Sequence, residues 1–295
     1  MKDMFGYENK VVVITGASSG MGLEATKLLV ELGAKVYAID LNECPVEGIE
    51  KFIKCNLSKK EEIDAAWKEI PDKIYAFFGN AGLSGSKTDY LTTFHCNYSA
   101  NFYMTEKYLE DRVEEGGAIL YVTSAAGLNW EKFKKEEKKV VYATSWEEVD
   151  NAISSLAKKA PSTFAYMYSK RCLSYYASKK AVELGKKKIR VNNVMPGSTA
   201  TGMKDEFEKM AGGHDALVSN AGVAGRLAES IEMAYPMVFL NSKMASFVSG
   251  LDMVVDYSDL AMKKTDVKKD IAAVSATNPI LISIAKKMME KQSHE

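Results

Sequence analysis

Short apolar runs rich in β-branched residues alternate with amphipathic stretches along this chain, and that alternation predicts an α/β protein with a parallel sheet. Residues 10–15 (K-V-V-V-I-T) read as a strand buried on both faces. They lead without a break into Gly16-Ala17-Ser18-Ser19-Gly20-Met21-Gly22, and then into a helical stretch, 23–32, with apolar positions at Leu28, Leu29 and Leu32. Residues 34–39, 51–55, 74–78 and 117–122 predict four further strands. Helices are expected over 59–70, with Ser58 as N-cap and Glu61 and Glu62 at the favourable end of the dipole, and over 101–113, preceded by Asn97.

The order strand, glycine turn, helix is the one a phosphate site requires. Glycines let the backbone approach a pyrophosphate closely, and its charge then rests on the unpaired amides of the helix N-terminus. Gly16, Ser18, Ser19, Gly20, Met21 and Gly22 are therefore candidate cofactor contacts. Asp40 closes the second strand about 20 residues beyond the glycines, where an acidic side chain holds the adenosine ribose hydroxyls. Its carboxylate would repel a 2′-phosphate, and no Arg or Lys within the glycine turn offsets it, which favours NAD(H) over NADP(H).

A second kind of chemistry is offered by Tyr166-Met167-Tyr168-Ser169-Lys170. If the stretch is helical, this spacing puts the phenol and the ammonium on one face, one turn apart. A free phenol, with a pKa near ~10, is a poor acid or base at neutral pH. An ammonium roughly 5 Å away at an effective dielectric of about 20 favours the phenolate by ~3 kcal/mol, which would poise Tyr166 near the working pH. Tyr175 and Lys179 repeat the spacing, so spacing alone leaves two candidate pairs open.

Composition narrows the classes. Lys plus Arg equal Asp plus Glu at 39 each, so no net field draws the chain to nucleic acid or an anionic membrane. No apolar run approaches the ~18 residues of a membrane span, and the Met1 end lacks a signal-peptide layout, so a cytoplasmic protein is expected. Cys44, Cys55, Cys96 and Cys172 are scattered and His95, His214 and His294 lie far apart, which predicts buried free thiols and no metal site.

Taken in order, the T-G-x-x-x-G-x-G of residues 15–22, the Asn80-Ala81-Gly82 triplet, Ser124 after the fifth strand, Tyr166-x-x-x-Lys170 and Pro196-Gly197-x-x-x-Thr201 resemble the signature of the short-chain dehydrogenase/reductases. The likeness runs over about residues 10–256. It implies a single Rossmann-type, doubly wound parallel sheet with helices on both faces, over residues 1–260, followed by a C-terminal helical extension, 261–295. The activity implied is hydride transfer between a nicotinamide and a secondary alcohol or ketone carbon. The resemblance also separates the two tyrosines. In the family a helix of several turns joins Tyr-x-x-x-Lys to an I-R-V-N strand, here Ile189-Arg190-Val191-Asn192, and only Tyr166 leaves room for it.

Carried over residue by residue, the resemblance makes Tyr166 the general acid/base and Lys170 the group that lowers its pKa and holds the nicotinamide ribose. Ser124 orients the substrate oxygen, and Asn97 helps order a water relay to Lys170. Further cofactor contacts are implied at Leu41, Asn56, Leu57, Asn80, Ala81, Gly82, Pro196, Gly197, Thr199 and Thr201; Asn56 stands where the family has an Asp. Relatives that have lost the tyrosine can sense NAD(H) without turnover, and the intact Tyr166, Lys170, Ser124 and Asn97 argue against that regulator reading here.

Residues 129–161 are extra relative to most of the family. Charge fills the first part, while Trp146, Val149, Ile153 and Leu156 line one face of the second, which predicts a helical hairpin. That insertion, with a short segment between Gly82 and Asn97, resembles the bacterial 3α-hydroxysteroid dehydrogenase/carbonyl reductase branch and the aryl-alcohol dehydrogenases similar to coniferyl-alcohol dehydrogenase. In such relatives the insertion takes part in dimer contacts, implying a homodimer or homotetramer; a solvated charged flap is the alternative. Residues 198–223 occupy the place of the family's substrate loop, and Tyr257-Ser258 replace its usual Gly-Gly. The tail carries an apolar stripe at Ile280, Leu281, Ile284, Met288 and Met289. Tyr90, Phe94, Met203, Phe207 and Met210 either line an apolar pocket or belong to the core. The first expectation for the substrate is a hydroxysteroid of bile-acid type, and the second an aromatic alcohol or aldehyde.

Overall fold

A computed structural model of the chain describes residues 3–268, 275 and 277–292. Seven strands form the main sheet: β1 (Val11–Thr15), β2 (Lys35–Asp40), β3 (Lys51–Lys54), β4 (Ile74–Gly79), β5 (Val113–Val122), β6 (Arg190–Pro196) and β9 (Asp252–Val255). They are parallel throughout, in the order β3-β2-β1-β4-β5-β6-β9, and β7 (Thr199–Ala200) and β8 (Ala228–Glu229) pair apart from them. β4 and β6 are buried at every position; β4 is a near-continuous apolar run, as a strand covered on both faces requires, whereas β6 also buries Arg190, Asn192 and Asn193, whose side chains donate to Leu240 O, Val248 O and Asp252 Oδ1. The chain winds outward from β1 to β3 and then crosses to β4 on the other side of β1. This reversal opens a crevice beyond the carboxyl ends of β1 and β4, the switch point where open α/β sheets take ligands.

Helices α1 (Gly20–Glu31) and α9 (Ser230–Asn241) cover one face through Leu29, Ala234 and Met237. The other face carries α2 (Lys60–Trp67), α3 (90–112) and α6 (Ser162–Gly185), with Ile63, Phe94, Phe102, Leu173 and Tyr176 in the core. α3 is a continuous helix interrupted by two π turns, His95–Ser99 and Thr105–Leu109. It starts at Tyr90, well before the expected residue 101, because Asp89 caps it by accepting from Thr92 N (2.8 Å). Ser58 does not cap α2. Lys59 holds the cap position, and Ser58 instead donates through N (3.0 Å) and Oγ (2.8 Å) to Asn56 Oδ1.

The insertion is a helical hairpin of α4 (Lys134–Val141) and α5 (Trp146–Lys159), not a solvated flap. Trp146, Val149 and Ile153 are buried, and the Trp146 ring lies 4.8 Å from His95 and 5.9 Å from Tyr103 of α3. The hairpin is also fixed to α6, where Tyr168 Oη donates to Glu136 O (3.1 Å) and Arg171 Nε lies 3.3 Å from the Glu137 carboxylate.

The substrate segment contains α7 (Lys204–Ala211) and α8 (His214–Ser219), and β9 leads into α10 (Asp259–Lys264). Tyr257 (φ 45°) and Ser258 (φ 78°) hold left-handed backbone there, the conformation the family's glycines would adopt freely. In α11 (Pro279–Gln292) the inward residue is Ile282. Ile280 and Ile284 of the expected stripe are exposed, and the Met288 and Met289 side chains lie outside the described residues. Among the described residues no helix is long and apolar enough to cross a membrane, and all four cysteines are buried free thiols.

Candidate active site

At the switch point the ends of β1 and β4 are stitched together by side chains. Thr15 Oγ1 accepts from Asn80 N (3.1 Å) and Ala81 N (3.2 Å), while Asn80 Nδ2 donates back to Thr15 O (3.2 Å) and Gly16 O (3.0 Å). A Cβ on Gly22 would fall 1.9 Å from Gly16 O and 2.3 Å from Asn80 Nδ2, so only glycine lets α1 begin against this turn. Ser19 stands at the N-cap of α1 without a side-chain capping bond, which leaves the first-turn amides for a ligand. Asp40 ends β2 and accepts from Ser18 N (3.0 Å) and Asn42 N (3.1 Å).

These groups border a crevice of about 340 Å³ lined by Gly16, Ser19, Gly20, Met21, Asp40 and Leu41 on one side, and by Asn56, Leu57, Asn80, Ala81, Gly82 and Thr201 on the other. A second cavity of about 200 Å³ shares Met21, Asn80, Gly82 and Thr201 with it, so the two are continuous. The second cavity brings together Ser124, Tyr166, Lys170, Pro196, Gly197 and Thr199. Glycine cradle, free helix amides, carboxylate and adjoining cavity fit an extended dinucleotide with its adenosine end at Asp40.

Tyr166 and Lys170 lie one turn apart on α6, with Lys170 Nζ 5.8 Å from the centre of the phenol ring. The ammonium donates to Val122 O (2.8 Å), at the end of β5. Burial drives Lys170 down to about 8, and burial raises Tyr166 above its ordinary value, a shift opposed by a hydrogen bond with Ser124. The expected lowering of the phenol by its lysine neighbour is therefore reversed in this arrangement. Desolvation of the phenol is the largest cause, and the ammonium is engaged by the carbonyl at the β5 end.

Asn97 sits in the first π turn of α3, fully buried, and lines neither cavity. It clasps the segment after Gly82 by both backbone groups: Oδ1 accepts from Leu83 N (2.7 Å) and Nδ2 donates to Leu83 O (2.9 Å). A Cβ on Gly82 would come 3.3 Å from both Asn97 Oδ1 and Lys170 Nζ, so these three residues meet at one point. Ser18 and Gly22 likewise stand behind the crevice and shape the turn. Asn56 lines it, but its Oδ1 is already taken by Ser58.

The second Tyr-x-x-x-Lys pair is structural: Tyr175 stacks on Trp130 at 4.9 Å and Lys179 pairs with Glu183 at 2.8 Å. Met203 and Phe207 line the second cavity, whereas Tyr90 and Phe94 are core residues and Met210 is exposed. Thr15, Leu83, Cys55 and Cys96 at the crevice, and Leu217, Asn220, Asp259 and Lys263 at the cavity, were not singled out beforehand. Thr15 was legible as the first letter of the glycine motif. The others reach the site only through tertiary placement of segments with no local signal.

The chain matches the family model described as short chain dehydrogenase over residues 10–163, and that described as Enoyl-(Acyl carrier protein) reductase over 148–257. The chain belongs to the short-chain dehydrogenase family. Among curated relatives it is 30% identical over 249 residues to the coniferyl-alcohol dehydrogenase of Pseudomonas sp. (strain HR199 / DSM 7063), covering 84% of this chain and 95% of that one. It is 29% identical over 269 residues to the cyclopentanol dehydrogenase of Comamonas testosteroni, covering 84% and 96%. Among solved structures, the 3-alpha-hydroxysteroid dehydrogenase from Pseudomonas sp. B-0831, complexed with NADH, superposes with a TM-score of 0.70 at 20% identity, covering 86% of this chain and 98% of that one. This short-chain dehydrogenase is accordingly an oxidoreductase acting on CH–OH groups, of a family that binds NAD(P).

Proposed function

We propose that the protein oxidises a compact apolar alcohol, cyclic or aromatic, with NAD as acceptor. The observation that carries this reading is the placing of Ser124 and Tyr166 in a cavity of about 200 Å³, walled by Met203, Phe207 and Leu217 and continuous with the nucleotide crevice. Ligand sites usually span ~300–1,000 Å³, and this one also has to admit the nicotinamide, so a single-ring alcohol suits the room that remains. The alcohol substrates named for the coniferyl-alcohol and cyclopentanol dehydrogenases support the same size class. A hydroxysteroid, the first expectation from the sequence, serves as the comparator.

When bound, NAD supplies the hydride acceptor. The chain's own groups do the rest. The amides of the glycine turn and α1 hold the pyrophosphate, Asp40 accepts from the adenosine ribose, and Lys170 takes the nicotinamide ribose. Thr199 and Thr201, after Pro196 and Gly197, border the nicotinamide end. For oxidation Tyr166 first releases its own proton to water; the phenolate, stabilised by Lys170, then takes the alcohol proton at Oη and returns to the neutral phenol, while Ser124 Oγ holds the same oxygen in line. Asp40 excludes a 2′-phosphate by like-charge repulsion, the basis for proposing NAD over NADP.

The test is a panel of cyclohexanol, coniferyl alcohol and a 3α-hydroxysteroid, each with NAD and with NADP, followed by nicotinamide absorbance. Turnover of the ring alcohols with NAD is expected. Turnover of the steroid alone, or a preference for NADP, would overturn the corresponding half of the reading.

A further inference from the structure

The helix that closes the catalytic cavity, α7, buries none of its own residues. Two consecutive side chains tie it to the rest of the molecule. Phe207 meets the Tyr166 ring edge-on, with centres 5.5 Å apart and planes at 65°. Glu206 reaches the segment that follows Gly82: its carboxylate accepts from Ser84 Oγ and from Ser86 Oγ (2.6 Å), and it pairs with Lys87 Nζ (2.8 Å). The other ion pairs of α7, Glu208 with Lys204 and with His214, stay within the same segment and anchor nothing.

The segment that receives Glu206 is itself rigidly held. Ser162 Oγ, at the start of α6, donates to Gly85 O. Gly85 has φ +83°, and a Cβ there would fall 2.4 Å from Ser162 O, so neither the conformation nor the approach tolerates a side chain. Asn97 grips the neighbouring Leu83 by both backbone groups. A ring of contacts thus closes: α6 holds Gly85, the Ser84 to Lys87 stretch holds Glu206, and Phe207 returns to Tyr166 on α6.

We propose that Glu206 is a positioning residue whose carboxylate latches α7 over the substrate cavity and so keeps Phe207 against Tyr166. The proposal rests on reading that cavity as the alcohol site. Burial would raise the Glu206 carboxyl, but Lys87, Ser84 and Ser86 outweigh it and hold it at about 2, so the latch is charged throughout the working range. Because α7 contributes no buried residue, loss of the latch frees the lid while leaving the core intact.

The test compares the full-length chain with Glu206→Ala and Glu206→Gln. For Glu206→Ala, trypsin is expected to cleave after Lys204 and Lys209 at least about fivefold faster, with global thermal stability unchanged. KM for the alcohol should rise about tenfold while kcat changes by less than about twofold, and Glu206→Gln, which keeps an acceptor for the serines, should fall between. Unchanged cleavage and KM would overturn the latch, as would a parallel loss of kcat and thermal stability. If the wild type oxidises no alcohol yet the cleavage difference stands, the latch is retained and the proposed function fails.

Discussion

Burial acts against both members of the Tyr166–Lys170 pair, raising the phenol and lowering the ammonium to about 8. Both shifts favour the uncharged form of the group concerned, so turnover in the oxidative direction depends on the phenol giving up its proton first. Asp40 is an acceptor fixed at a strand end by Ser18 N and Asn42 N. Asp40→Asn keeps an acceptor for one of those amides and removes the charge proposed to repel a 2′-phosphate. The preference for NAD over NADP in kcat/KM should then fall about tenfold, or about 1.4 kcal/mol of transition-state discrimination. An unchanged ratio would remove Asp40 from cofactor selection. Asp40 and the glycine turn were legible in the sequence because a strand end and three glycines are local signals. The Asn97 clasp was not, since its partner Leu83 is brought to it only by the fold.

Helix α3 illustrates where periodicity failed. Thr92, Thr93, Asn97 and Ser99 break the apolar pattern ahead of residue 101, where the helix is expected to start, yet Thr93, Asn97 and Ser99 are buried in the helix. Two of them find partners there: Thr93 Oγ1 donates to Asp89 O (2.8 Å) and Asn97 Nδ2 to Leu83 O (2.9 Å), whereas Ser99 Oγ has none among the described residues. Tyr90 and Phe94 then become core residues that line neither cavity of the site. The insertion was read more accurately, because the apolar face of α5 is regular: Trp146, Val149 and Ile153 are the residues it buries. Ile153 is fully buried, so Ile153→Ala should cost about 2–4 kcal/mol in denaturant unfolding. A change below about 0.5 kcal/mol is what a surface flap would give. For α11 the stripe was misjudged by part of a turn, and Ile282 rather than Ile280 or Ile284 faces the body.

At the scale of the whole molecule, the insertion and the active-site helix meet through a fully buried carboxylate. Burial raises Glu137 to about 8, against the attraction of Arg171. The folded state thus binds this proton more tightly than the unfolded chain, whose carboxyl titrates near 4.5. The stabilisation is complete below that value and is lost as pH rises toward 8, so the melting temperature should decline across this window. Glu137→Gln, which cannot ionise, should flatten the decline; a slope identical to the wild type would show that the group does not govern it. The central claim, however, concerns the cleft where the two halves of the sheet diverge. It is tested most directly by measuring NADH formation and NADH binding side by side in Tyr166→Phe, which removes one hydroxyl and keeps the ring against Phe207. The account predicts turnover reduced by at least about a thousandfold with NADH affinity nearly unchanged. Wild-type turnover in that variant would contradict it.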